Sequence, residues 1–113
     1  MKRYPLDRIA PTHQYKLVKA KSSDIVFEII IPRDCIGFIE QVANSWYPDT
    51  VLHFIVDDEA EIVKREIAPI NSPKHYDPPI VVKNFIRWVA YNNSEEDHVF
   101  EVVCDGYYVK SIS

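Results

Sequence analysis

The apolar residues of this chain arrive in short, β-branched runs cut off by turn residues, and that spacing favours strands over helices along most of its length. The sharpest run is Ile25-Val26-Phe27-Glu28-Ile29-Ile30-Ile31, which stops at Pro32. β-Branched and aromatic side chains fit a pleated surface, and proline cannot donate to a strand ladder, so these residues predict a buried central strand. Ahead of it, Tyr15 and Leu17 alternate with Gln14, Lys16 and Val18 between His13 and Ala20, the pattern of a strand with one wet face.

Further along, Val51–Val56 and Glu61–Ile67 flank the acidic stretch Asp57-Asp58-Glu59-Ala60 and predict a hairpin. From Pro69 to Pro79 the residues Asn71, Ser72, Pro73, Asp77 and Pro78 leave no room for a helix or a central strand, which makes this the longest loop. Ile80–Tyr91 reads as one long strand, apolar on both faces and therefore covered on both sides. Asp105-Gly106 is the favoured dipeptide of a two-residue hairpin turn, with a final strand to about Ile112.

The segment Cys35–Trp46 supports two readings. Cys35, Phe38, Ile39, Val42, Ala43 and Trp46 fall at helical spacing behind a cap at Asp34, whereas Ile36, Phe38, Glu40 and Val42 alternate as in a strand. Gly37 would cost a helix interior about 1 kcal/mol relative to alanine, and the strand is preferred. The fold expected is all-β, an antiparallel β-sandwich of jelly-roll-like plan with about seven strands and residues 35–46 as its one helical alternative. A chain of 113 residues has room for one core, so residues 13–113 form a single domain. Residues 1–12, with two prolines and no periodicity, form an N-terminal arm that either packs on a neighbouring subunit or frays.

Composition excludes several classes of function. The net charge is −4, and the 13 basic residues are scattered, with only Lys16, Lys19 and Lys21 close together as a solvated strand edge, so nucleic acid is not an expected partner. No apolar stretch follows the charged start of the chain, and no run approaches the roughly 20 residues of a membrane span. A soluble, cytoplasmic protein follows, with a virion as the alternative location, and Asn92-Asn93-Ser94 is then a glycosylation sequon on paper only. Cys35 and Cys104 lie among apolar neighbours as buried free thiols, although spacing alone leaves a disulfide between them open.

Catalytic constellations are also missing from the sequence. His13, His53, His75 and His98 sit in separate elements, without the paired spacing that presents two imidazoles to one metal. Asp57-Asp58-Glu59-Glu61 and Glu95-Glu96-Asp97 lack the alternating pattern of a calcium loop and read as solvated tips. Two glycines, Gly37 and Gly106, cannot build a phosphate loop or a nucleophile elbow, and Cys35 beside Arg33 and Asp34 is followed by apolar residues that favour burial. No cofactor, no metal and no enzyme activity are expected.

What remains are aromatic pairs at loop ends: Trp46-Tyr47, His75-Tyr76 and Tyr107-Tyr108. Trp46, Tyr47, His75, Tyr76 and Tyr108 are the candidate ligand or partner contacts, because planar rings stack on sugars and anchor interfaces. The leading expectation is an assembly or interaction module, a homo-oligomeric structural subunit. In plan alone it is similar to small sandwich domains of phage virion proteins. The alternative is a carbohydrate-binding module in which Asn44, Asn71, Asn92 and the acidic tips serve as hydroxyl partners. A small metal-dependent enzyme subunit comes third and requires histidines to converge on one point.

Overall fold

The chain forms one long antiparallel ribbon that rolls up on itself. The computed structural model describes residues 2–57, 63–64 and 73–110. Along them run β1 (Tyr4–Pro5), a 3-10 turn (Leu6–Arg8), β2 (His13–Val18), β3 (Ser22–Ile30), β4 (Cys35–Asn44), β5 (Thr50–Val56), β6 (Val63–Lys64), β7 (Lys74–Val82), β8 (Phe85–Asn92) and β9 (His98–Lys110). The ribbon is read from the pairings β2 with β9, β3 with β8, β4 with β7 and β5 with β6. Rolling it adds the side-by-side contacts of β4 with β9 and β5 with β8. Two sheets result, β2-β9-β4-β7 and β3-β8-β5-β6, with β1 continuing β2 along the edge of β9. This is the strand order of a jelly roll, and the all-β antiparallel sandwich expected from the sequence is the fold observed.

Alternation places the core. In β5 every second residue is buried, Thr50, Leu52, Phe54 and Val56, while Val51, His53 and Ile55 face outward. Phe54 stacks on Trp88 of β8 with ring centroids 4.6 Å apart, and Phe27, Ile39, Ile86 and Phe100 close around them. Each such side chain contributes about 1.5–3 kcal/mol when it leaves water.

Residues 35–44 are strand, which removes the helical alternative. A bulge between Ile39 and Gln41 explains the ambiguity. Cys35, Gly37 and Ile39 point inward, the bulged Glu40 is extra, and the inward phase resumes at Val42, so a strand acquires a three-residue step that mimics a helix.

Three other expectations need correction. Ile80–Tyr91 is not one strand: the chain turns at Lys83–Asn84, leaving β7 in one sheet and β8 in the other. Val82, Ile86, Trp88 and Ala90 keep one inward phase through the corner, which is why the run looked continuous. Asp105-Gly106 is not a turn but lies inside β9, opposite the bulge of β4, and Gly106 has no positive φ. Pro78 and Pro79 lie within a strand, β7, which tolerates them because it is the outer strand of its sheet. The tip residues Asp58, Glu59 and Glu61, the loop residue Asn71 and the chain beyond Lys110 lie outside the described residues.

The arm docks on its own chain. Tyr4–Pro5 pairs with Tyr107–Tyr108 of β9, and Leu6 is fully buried in the core. Nearby, the edge of β3 is capped by a side chain: the Gln14 amide donates to Glu28 O at 3.0 Å and accepts from Glu28 N–H at 3.2 Å, imitating a strand partner.

Candidate functional site

The five candidate residues do not meet on one surface. Trp46 and Tyr47 follow β4 into a turn closed by Thr50, whose hydroxyl donates to Tyr47 O at 2.6 Å. Tyr47 stacks on His98 at 4.1 Å, meets Phe100 edge-on at 5.3 Å, and donates its hydroxyl to Val99 O at 2.7 Å. This ring is a lock between the turn and β9. Trp46 donates Nε1 to Thr50 O at 3.2 Å and keeps 39% of its surface exposed.

His75 and Tyr76 lie on β7, where an open groove of about 410 Å³ is lined by Arg3, Glu40, His75, Tyr76, Asp77 and Tyr107. Opposite charges and hydrogen-bonding groups face one another there. Tyr107, the aromatic neighbour sequence reasoning passed over, stacks on Phe38 at 4.8 Å and carries the Arg3 guanidinium 4.3 Å above its ring. Tyr108 is not in the groove, because the alternation of β9 turns it inward, where it stacks on Tyr4 at 5.3 Å. Tyr47, Tyr107 and Tyr108 therefore already have their ring faces in contact with other side chains.

A different surface, absent from the sequence candidates, stands out. Tyr15 and Leu17 of β2 are 72% and 50% exposed, and Val99 of β9, the register partner of Leu17, is 44% exposed. The inward residue at the end of β2 is Val18, so the apolar pair Tyr15 and Leu17 occupies the outer face. Beside this row, Glu101, the partner of Tyr15, accepts from His13 Nε2 at 3.1 Å. On the neighbouring edge, Lys16 bonds Asp24 at 2.9 Å and, with the N–H of Ile25, holds the Asp24 carboxyl below its ordinary range. An exposed apolar row beside polar groups is the usual composition of a protein contact.

The four histidines stay apart: His13 on β2, His53 against Tyr91 at 4.7 Å, His75 on β7, and His98 under Tyr47. Among the described residues no three histidine, cysteine or carboxylate side chains gather as a metal site, and no helix is long and apolar enough to cross a membrane. Both cysteines are free, with Cys35 opposite Lys110 and Cys104 opposite Val42 in the β4–β9 register. No protein-family model matches the chain, and no curated protein matches it.

Proposed function

We propose that the chain is a non-catalytic interaction module, a structural subunit that associates with copies of itself. The observation that carries this reading is the row Tyr15, Leu17 and Val99, three large apolar side chains exposed on the outside of one sheet, Leu17 and Val99 as register partners. Exposing them to water has no return within the single chain, whereas covering them in an interface recovers about 25 cal/mol for each Å² of apolar surface removed from water. Tyrosine in such a row is a favoured anchor. Jelly-roll sandwiches serve both in viral capsids and in lectins, so the fold itself does not choose. The occupied faces of Tyr47, Tyr107 and Tyr108 favour assembly over sugar stacking.

Sedimentation velocity across a concentration series tests the reading. The wild type sediments as an oligomer, and Tyr15→Lys with Leu17→Lys shifts it to monomer while the far-ultraviolet dichroism is unchanged. Variants that associate like the wild type sink the proposal, as does a wild type that stays monomeric throughout. A monomer retained on a glycan array, and lost from it in Tyr76→Ala, turns the reading to carbohydrate through the groove beside β7.

A further inference from the structure

Among the described residues, charge is sorted between the two ends of the sandwich. Where β3 ends and β8 begins, a groove of about 390 Å³ is lined by Ile30, Arg33, Lys83, Phe85 and Arg87, among others. Arg87 is matched by Glu28 at 2.7 Å, while Arg33 and Lys83 have no carboxylate partner among the described residues. The arm and the end of β9 bring more cations to the same end: Lys2, Arg8 and Lys110 lie 5.4, 5.0 and 5.4 Å from the centre of the Tyr4 ring. Among the described residues the acids here are Asp7, Asp34 and Asp57, and Asp57 is engaged by the backbone N–H groups of Lys83, Asn84 and Phe85.

The opposite end is acidic. Between β8 and β9 the connection exposes Glu95, Glu96 and Asp97, and its Asn93 N–H donates to the carbonyl of Asp49 at 3.0 Å, which brings the exposed Asp49 alongside. Among the described residues of this end, Lys19 and Lys21 supply positive charge, and Lys21 pairs with Glu95 at 2.9 Å, leaving Glu96 without an ion-pair partner among the described residues.

Cations held together without counter-charges repel one another, and the repulsion is relieved when a surface of opposite sign docks. We infer that the acidic turn Glu95–Asp97 of one copy docks in the Arg33–Lys83 groove of the next, stacking copies end to end. The inference rests on the self-association proposed above and names a second contact for it. One feature selects a second copy over a free polyanion: the complementary acidic surface is already present on the same chain. Because the two surfaces differ and sit at opposite ends, the contact is heterologous and propagates instead of closing into a two-fold dimer.

Charge exchange provides the test. The paired variant Arg33→Glu with Lys83→Glu makes both ends acidic, and Glu95→Lys with Glu96→Lys makes both ends basic. Each variant alone is expected to lose the high-order species seen for the wild type in sedimentation velocity at low salt. Mixed in equal amounts, the two regain it, since each end now finds an opposite. Raising salt to about 1 M, where charges are screened beyond about 3 Å, dissolves the stacks. Glu96→Lys alone, which keeps the Lys21–Glu95 pair, guards against a folding defect. Variants that remain stacked, or a mixture that does not recover, overturn the inference. If these variants stay associated while Tyr15→Lys dissociates, only the end-to-end contact fails. A wild type that is monomeric at every salt concentration removes both readings, and retention of a single-stranded oligonucleotide by that monomer, lost in the Arg33 and Lys83 variant, assigns the groove to a polyanion instead.

Discussion

The carboxylate of Asp57 accepts the backbone N–H of Asn84 at 2.6 Å, and its oxygens lie 3.2 Å from the N–H groups of Lys83 and Phe85. At this corner the chain passes from β7 in one sheet to β8 in the other, so the turn has no ladder partner for those donors. The side chain at the end of β5 supplies the missing acceptor, and the Asp57 N–H returns a bond to Phe85 O at 3.0 Å.

Removing that acceptor should therefore loosen the sandwich at one point. Asp57→Ala is expected to lower the unfolding free energy by about 1–3 kcal/mol, the range for hydrogen bonds to a charged group with allowance for partial exposure. Asp57→Asn should cost less, because the residue has a φ of 57° and asparagine tolerates the left-handed region that alanine avoids. Urea denaturation gives the comparison, and an alanine variant with an unchanged midpoint would show that water satisfies the corner equally well.

The two glycines separate by what a methyl group would strike. A Cβ on Gly106 would lie 1.9 Å from the carbonyl oxygen of Phe38, a backbone atom held in the neighbouring strand. A Cβ on Gly37 would lie 2.9 Å from Cδ1 of Ile31, the end of a side chain that can rotate away. Gly106→Ala is thus expected to cost at least the about 1–3 kcal/mol of an overpacked core, and more if β4 must move, whereas Gly37→Ala should cost less. Thermal melts of the two variants decide it: equal losses would mean that the bulge of β4 yields as easily as one isoleucine.

This glycine also marks where local reading of the sequence stops. Strand identity was legible because alternation and β-branching act within a few residues, as in Thr50–Val56 and Ile25–Ile30. Asp105-Gly106 misled because a dipeptide tuned for a tight turn and a glycine needed for close strand approach look alike until the partner strand is known. The bulge at Glu40 is likewise a property of two strands, and it converted β spacing into helical spacing around Ile39 and Val42. The outer apolar row was not legible: alternation alone shows Tyr15 and Leu17 on one side of a strand, the burial of Val18 is what turns that side outward, and Val99 joins them only through a pairing across some eighty residues. The sorting of charge between the ends was not visible at all, because Lys2, Arg33, Lys83 and Lys110 are scattered in sequence and gathered only by the rolled ribbon.

Cys104 connects burial to pH. Its side chain faces the interior from β9, fully buried, and burial pushes the thiol well above its ordinary value, with the neighbouring charge of Asp105 adding to the effect. The folded protein therefore keeps this proton at pH values where the unfolded chain, with an ordinary thiol near 8.5, releases it. Fewer protons on the unfolded state mean that stability falls as the pH rises: the contribution is intact below about pH 8 and reduced by about 1.4 kcal/mol at pH 9.5. Other groups titrate in this range too, so the informative quantity is the difference in slope between the wild type and Cys104→Ala in urea denaturation from pH 7.5 to 9.5. The wild type should lose stability more steeply, and its Cys104 should resist a thiol reagent until the chain unfolds. Parallel slopes together with rapid labelling of native Cys104 would place the thiol in contact with water and contradict the packing of β9 against β4.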